Sequence, residues 1–358
     1  GEHDVSLMSA RSVLDALNRQ KYAITEIFID QEGRWWSGDN LLDALTHRQF
    51  QPSTPVTILP DPTRPGLFIL EESASLTLLS RLDVVFPVLH GTFGEDGTLQ
   101  GLLELVDVAY VGAGVLASSL GMDKGVFKDV MRARSIPVLE SKVFLRSEIE
   151  QGVDQVLELA EDIAAYPLFV KPANLGSSVG ITKCRSRSDL GEGLFEASRY
   201  DRRVLVERGI NGREIEVSIL GNNQPLASIP GEIIPAGDFY SYEAKYLDEA
   251  SRLLIPAPLS PELQEQVQKI AVEAYQAIDG AGMARVDFLL DKDTGNLYLN
   301  EVNTIPGFTQ ISMYPKLWEA SGVPYQELLD RLIELALERK QERNRSERHY
   351  RRQDTHGA

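Results

Sequence analysis

Only one cysteine, Cys184, occurs in 358 residues. That excludes an internal disulfide and a cysteine-built zinc site, and it fits a reducing compartment. No run approaches the ~18 apolar residues of a membrane-spanning helix. The first residues, GEHD, lack the basic-then-apolar pattern of a secretory leader. The expected location is the cytoplasm, with no membrane partner. Basic residues are in deficit: 36 Lys and Arg stand against 53 Asp and Glu, for a net charge of −17. A nucleic-acid partner, which calls for a basic face, is not expected. Internal repeats and low-complexity runs are absent. What remains is ordinary, with 43% hydrophobic and 25% charged residues, so the chain is neither disordered nor a coiled coil. At roughly 150 residues per domain, the length corresponds to two or three domains with real cores.

Hydrophobic periodicity alternates between helix and strand. Leu7, Val13, Leu14 and Leu17 are at helical spacing over 6–18, and 22–29 reads as a strand. Residues 31–75, rich in Pro and Gly and carrying Trp35 and Trp36, show no regular period. The apolar run 83–89 reads as a buried parallel strand. A helix after Gly97 and a short strand at 109–111 follow, and this alternation implies a parallel sheet. From about 122, a helix (122–134) and strands at 138–144, 168–171, 179–183, 204–207 and 214–220 read as a small α+β unit. Ser260 as N-cap and Pro261 as first helical residue open a helix. Its apolar face is Leu263, Val267, Ile270, Ala271, Ala274 and Ile278, and Gly280 ends it. Strands at 285–291 and 297–304 pair around Thr294 and Gly295. A last helix covers 325–342, before a polar tail expected to fray.

Chemistry concentrates in four segments. Along 284–290 (ARVDFLL), Arg285 and Asp287 share one strand face; along 300–307 (NEVNTIPG), Glu301 and Asn303 do the same. If the two polar faces coincide, one arginine, two carboxylates and an amide oxygen converge, an oxygen cluster suited to Mg2+. Coincidence requires a hairpin loop with an odd residue count. The plainer alternative is a surface hairpin with solvated charges. In 168–180 (LFVKPANLGSSVG), Lys171 ends a strand and a small-residue loop carries Ser177 and Ser178. Such a loop lets backbone N–H groups approach phosphate oxygens. It is not a Walker A loop, since Gly-Lys-Ser/Thr is absent and no helix follows. An ordinary hairpin turn is the competing interpretation. Glu207 closes the apolar run 204–207, where a strand-end glutamate is also often just solvated. In 90–97 (HGTFGEDG), His90 follows a buried strand, the place where open α/β sheets bind ligands. It can orient a substrate, move a proton, or be a satisfied structural histidine beside a helix capped by Asp96. Gly112 and Gly114 make only part of a dinucleotide fingerprint, because Ala117 stands where its third glycine belongs.

In this order and spacing the segments resemble the D-alanine–D-alanine ligases of the ATP-grasp superfamily. The resemblance runs from residue 1 to about 340 and is weakest at 31–75. Its motifs are GEHDVSL (1–7), HGTFGEDG (90–97), GMDK (121–124), VKP (170–172) with GSSVG (176–180), YEAKY (242–246) and NEVNTIPGFT (300–309). It implies a three-domain ATP-grasp fold of α/β and α+β parts: an N-terminal parallel-sheet α/β domain (1–121), a central subdomain (122–222), a C-terminal subdomain (223–342) and a polar tail (343–358). The nucleotide would lie between the central and C-terminal parts. Relatives usually begin with a strand and a Gly-Gly turn ahead of GEH; this chain starts inside that motif, so either the sequence is truncated there or the protein lacks its first strand.

The resemblance also implies roles. Lys124 and Lys171 match lysines that hold ATP phosphates, with Ser177 and Ser178 in the phosphate loop. Glu207 and Glu214 match residues near adenine and ribose, and Arg208, Gly209 and Ile210 match the linker beside adenine. Asp287, Glu301 and Asn303 match ligands of two Mg2+ (or Mn2+) ions. Arg285 and the Gly307 N–H match the groups that stabilise an oxyanion. Glu2 matches the carboxylate that receives the first D-alanine ammonium, with Ser177 and Tyr246 as its hydrogen-bonded partners and His90 beside the substrate. Lys245 matches a lysine on a lid loop, about 236–256, that reaches the transferring phosphate. Ser312 and Met313 match the site of the second D-alanine carboxylate. The implied activity is ATP-dependent formation of D-alanyl-D-alanine through a D-alanyl phosphate, for peptidoglycan precursors, by a homodimer. Tyr246 goes with an amino-acid acceptor rather than D-lactate. The alternatives are a D-alanine–D-lactate ligase, another ATP-grasp carboxylate–amine ligase, and a non-catalytic nucleotide-binding regulator.

Overall fold

A computed structural model describes residues 2–46, 54–73, 75–176, 179–235, 252–309 and 311–347. Helix α1 (His3–Ala16) leads into an antiparallel sheet of β1 (Ile27–Ile29), β2 (Trp35–Ser37), β3 (Thr54–Ile58), β4 (Leu67–Leu70) and β5 (Leu76–Ser80), in that spatial order, with the short α2 (Leu41–Thr46) between β2 and β3. The stretch 31–75, expected to be irregular, thus supplies three strands. Its strands are three to five residues long, too short for alternation to stand out. Its glycines sit at turns, Gly33 at φ 82° and Gly66 at φ 140°, a region open to glycine at no steric cost. The expected strand–helix–strand unit is present: β6 (Val84–Val85) pairs in parallel with β7 (Ala109–Tyr110) across α3 (Thr98–Val106). Parallel pairing among the described residues of this part is confined to those two strands.

Helices α4 (Val115–Met122) and α5 (Lys124–Ala133) meet at Asp123, whose carboxylate accepts the Val126 N–H at 2.9 Å and caps α5. The next sheet contains β8 (Ser141–Leu145), β9 (Leu168–Pro172), β10 (Thr182–Cys184) and β11 (Arg203–Arg208), in the order β10-β9-β11-β8, all antiparallel. Helices α6 (Arg146–Glu161) and α7 (Arg187–Tyr200) cover one face, burying Phe144, Val170, Cys184, Leu194, Val204 and Val206. Leu205 and Glu207 take the other face, because side chains alternate along a strand.

The last sheet is β15-β14-β12-β16-β17, with β13 paired to β12. Its strands are β12 (Gly212–Leu220), β13 (Leu226–Ala227), β14 (Gly231–Ile234), β15 (Arg252–Leu254), β16 (Met283–Asp291) and β17 (Leu297–Asn303). Helix α8 (Pro261–Ala277) packs Val267, Ile270, Ala271 and Ala274 against it. Ser260 Oγ accepts the Leu263 N–H at 3.3 Å, as an N-cap should. The stop differs by one residue from expectation. Asp279, at φ 62°, takes the left-handed position. Gly280 follows because a Cβ there would lie 2.5 Å from the Tyr275 ring. Helices α9 (Met313–Ala320) and α10 (Tyr325–Asn344) complete the chain. Helix α10 runs two residues past the expected 342: Arg343 pairs with Glu104 and, at 2.6 Å, with Asp107, tying its end to α3.

Candidate active site

A cleft of about 1150 Å3 opens between the β8–β11 sheet and the β12–β17 sheet, and the start of α1 closes one end. It is lined by Glu2, His90, Lys124, Lys171, Glu207, Arg208, Gly209, Ile210, Glu214, Arg285, Asp287, Glu301, Asn303, Gly307, Ser312 and Met313. Residues more than 300 positions apart therefore face one volume. Ser177, Ser178, Lys245 and Tyr246 lie outside the described residues.

On the β16–β17 hairpin the two polar faces coincide, by a route other than an odd loop. The last ladder pair is Leu290 with Leu297, which leaves an even stretch, 291–296, between them. Continued in that register, Glu301 would sit opposite Val286, in the core. A bulge between Asp287 and Phe288 resets the pairing, with Asn300 as the extra residue. Asp287 then faces Glu301 and Arg285 faces Asn303, while Val286, Phe288, Leu299 and Val302 stay in the core. Arg285 donates to both Asp287 oxygens, Nε at 2.7 Å and Nη2 at 2.6 Å, and Nε lies 3.1 Å from Glu216 Oε2. Asn303 Nδ2 donates to Asp287 Oδ2 at 2.9 Å. This is a bidentate, charge-assisted arrangement, which fixes direction as well as adding energy.

Across the cleft, Lys171 on β9 donates to Glu207 Oε1 at 2.8 Å, and Lys128 on α5 stands 2.5 Å from Glu207 Oε2. Burial alone would push the Glu207 carboxyl up, but the two ammonium groups outweigh it and hold it down at about 2. Lys124 Nζ donates to the Leu175 carbonyl at 2.6 Å, where the small-residue loop begins. Arg208, on the cleft wall, pairs with Glu140 at 3.0 Å and lies over the Tyr298 ring at 5.3 Å, so its side chain anchors the strand connection.

At the α1 end, Glu2 is buried, and a Cβ on Gly176 would lie 2.6 Å from its Oε1. His90 is buried beside it. Burial would lower the imidazole pKa, but Glu95, at 3.7 Å, and the Glu2 charge raise it. Asp96 accepts the Thr98 N–H at 2.9 Å in the turn ahead of α3, whose N-cap is Gly97 and not Asp96. Ser312 Oγ accepts the Thr309 N–H at 3.1 Å at the start of α9. Met313 lines the cleft but is mostly packed against Ile233 and Leu317.

The family model described as D-ala D-ala ligase N-terminus matches residues 1–113, and the one described as D-ala D-ala ligase C-terminus matches residues 130–334. The chain belongs to the D-alanine–D-alanine ligase family. It is 53% identical over 346 residues to the D-alanine–D-alanine ligase of Heliobacterium modesticaldum, covering 97% of this chain and 94% of that protein. With the ligase of Natranaerobius thermophilus it shares 49% over 347 residues, covering 97% and 94%. Among solved structures, the ligase from Coxiella burnetii superposes with a TM-score of 0.81 at 39% identity, over 96% of this chain and 92% of that one. The VanG D-Ala:D-Ser ligase from Enterococcus faecalis gives 0.82 at 34%, over 94% and 96%. The mixed α/β arrangement of sheets and helices is accordingly the ATP-grasp fold of this ligase family.

A ligase site needs an oxygen-rich place for a divalent ion. Among the described residues, no group of three or more His, Cys, Asp or Glu side chains is placed to hold a metal. The donor chemistry nevertheless fits Mg2+ or Mn2+: the carboxylates of Asp287 and Glu301 face each other, with the Asn303 amide two residues along the same face. Such ions complete their shells with substrate phosphates and water. Three contributors were missed from sequence. Lys128 falls on the buried stripe of α5, between Phe127 and Met131, and a lysine on an apolar stripe is itself a signal. Glu216 lies two residues after Glu214 and so on the same strand face. Glu95, inside HGTFGEDG, accepts the Gly91 N–H at 2.9 Å.

Proposed function

We infer that this chain joins two D-alanine molecules into D-alanyl-D-alanine at the expense of ATP, through a D-alanyl phosphate, in the synthesis of peptidoglycan precursors. The observation that carries the reading is the register of β16 and β17, which sets Arg285, Asp287, Glu301 and Asn303 on one face of a cleft lined on its other side by Lys124 and Lys171. A carboxylate is a poor electrophile because its leaving group would be oxide, and phosphorylation removes that obstacle. Lys124 and Lys171 neutralise the nucleotide phosphates, and Glu207, Glu214 and the 208–210 connection hold adenine and ribose. Glu2 receives the ammonium of the first D-alanine. Divalent ions held by Asp287, Glu301 and Asn303 would neutralise charge on the transferring phosphoryl group. The amine of the second D-alanine, placed by Ser312 and Met313, attacks the acyl carbon, and Arg285 with the Gly307 N–H stabilises the oxyanion. Lys245 and Tyr246, on the 236–256 segment, belong to the same reading as parts of a lid that excludes water.

A cytoplasmic homodimer, with the chain divided at 121/122 and 222/223, completes the proposal on the strength of family membership. No helix among the described residues is long and apolar enough to cross a membrane. The test is incubation with ATP and Mg2+ plus D-alanine alone, D-alanine with D-lactate, D-alanine with D-serine, or L-alanine. Phosphate release with dipeptide from D-alanine alone is expected. Turnover that requires D-lactate or D-serine would shift the acceptor assignment, and nucleotide binding without turnover would favour a regulator.

A further inference from the structure

The buried contacts of Ser9, on α1, form a chain that ends on both sides of Gly307. The Phe308 N–H donates to Ser9 Oγ at 3.2 Å. Ser9 Oγ lies 2.9 Å from His90 Nε2, and His90 Nδ1 lies 3.1 Å from the Ile305 carbonyl. A carbonyl only accepts, so Nδ1 carries a proton; an amide only donates, so Ser9 Oγ is the acceptor there. The remaining proton between Ser9 Oγ and Nε2 closes the chain whether the imidazole is neutral or charged. The carboxylates facing the ring, Glu95 at 3.7 Å and Glu2, change its charge but not these partners. Ser9 is 0% exposed and Phe308 1%, so water has little room to replace a lost bond.

We propose that Ser9 is a positioning residue for acyl transfer, fixing through His90 the backbone between Ile305 and Phe308 that carries the Gly307 N–H. The proposal rests on the ligase reading above. Both ends of that short segment are pinned, at the Ile305 oxygen and the Phe308 nitrogen, and Tyr325 Oη adds a third tie by donating to the Phe308 oxygen at 2.8 Å. The same helix presents Glu2 at its start, and its Ser6 Oγ accepts the His90 N–H at 3.1 Å. One rigid element thus sets the distance between the ammonium site of the first substrate and the oxyanion donor. His90 acts through the loop it holds and does not itself exchange protons with substrate.

Ser9→Ala in the full chain tests this. Alanine suits a helix, so the fold should persist, but the buried Phe308 N–H loses its acceptor, so the melting temperature should fall by a few degrees. Dipeptide kcat is expected to fall about 10- to 30-fold, while KM for ATP stays within about twofold, because a donor is misplaced only for the transition state. Ser9→Thr, which keeps the hydroxyl, should restore most of kcat. Nitrogen-15 NMR of the wild-type protein should show His90 Nδ1 protonated throughout the neutral pH range. Wild-type kcat in Ser9→Ala, or an unprotonated Nδ1, overturns the clamp alone. A wild-type chain that makes no dipeptide removes the ligase reading and the clamp together.

Discussion

Lys128 Nζ lies 2.5 Å from Glu207 Oε2, and each side chain is 2% exposed. The other Glu207 oxygen is held by Lys171 at 2.8 Å. One buried carboxylate therefore spaces two ammonium groups, of which only Lys171 and not Lys128 borders the cleft. Lys128→Met leaves Glu207 buried with a single partner. Breaking a buried pair in this way costs about 3–5 kcal/mol, so urea unfolding should shift to clearly lower concentration. Lys128→Met combined with Glu207→Leu should regain only part of that stability, since it removes the buried pair but leaves Lys171 without its carboxylate. ATP affinity should not return, because Lys171 has lost its spacer. Equal stability of Lys128→Met and wild type would show that the pair is not the anchor described.

The same carboxylate gives a pH dependence with a definite sign. Its folded value, about 2, lies below the ordinary 4.5. A depressed carboxylate contributes stability that is complete above the unfolded value and is lost as pH falls through the folded one. Stability should therefore decline between about pH 4.5 and 2, and Glu207→Gln should flatten that part of the decline. An unchanged acid limb in Glu207→Gln would assign it to other carboxylates.

The metal assignment depends on two facing carboxylates. Glu301→Gln keeps the size and the strand but removes one negative charge opposite Asp287. The Mg2+ concentration for half-maximal activity should rise about tenfold or more, with Mn2+ recovering part of the loss, as expected when a hard-oxygen site loses a charged ligand. The folded state should be unaffected, since Glu301 is only half-buried. An unaltered Mg2+ dependence would place the ion elsewhere.

Much of this site was legible because its residues break the local pattern. Arg285 and Asp287 interrupt the otherwise apolar run 283–290, and Glu301 and Asn303 flank Val302 on the partner. Alternation alone put each pair on one face. Which faces coincide was not legible, because it depends on Asn300. A bulge is a one-residue irregularity with no periodic signature, and loop parity without it gives the wrong answer. Ser9 and Lys128 were hidden for a different reason. Each earns its role from a partner 79 or more residues away, His90 for one and Glu207 for the other, and helical spacing records nothing about such partners. In the fold, α8 was readable from Ser260 and Pro261 because capping is local. The β1–β5 sheet was not, because its short strands pair through turns that dilute alternation.

Gly307 tests the oxyanion side without touching a charge. A Cβ at this position would lie 2.8 Å from Ser312 Oγ, closer than real Cβ contacts allow. Ser312 cannot yield freely, because its hydroxyl is held by the Thr309 N–H at 3.1 Å and Thr309 Oγ1 at 2.7 Å. In Gly307→Ala the 305–308 backbone must therefore move, and the Gly307 N–H moves with it. Loss of an oxyanion donor lowers kcat about 10²–10³-fold. Here kcat should fall toward that range, with KM for the second D-alanine rising as Ser312 is displaced and KM for ATP unchanged. Thermal stability should drop by less than in Lys128→Met, because no buried charge loses its partner. A Gly307→Ala enzyme with wild-type kcat would mean that the oxyanion is stabilised by Arg285 without help from this backbone.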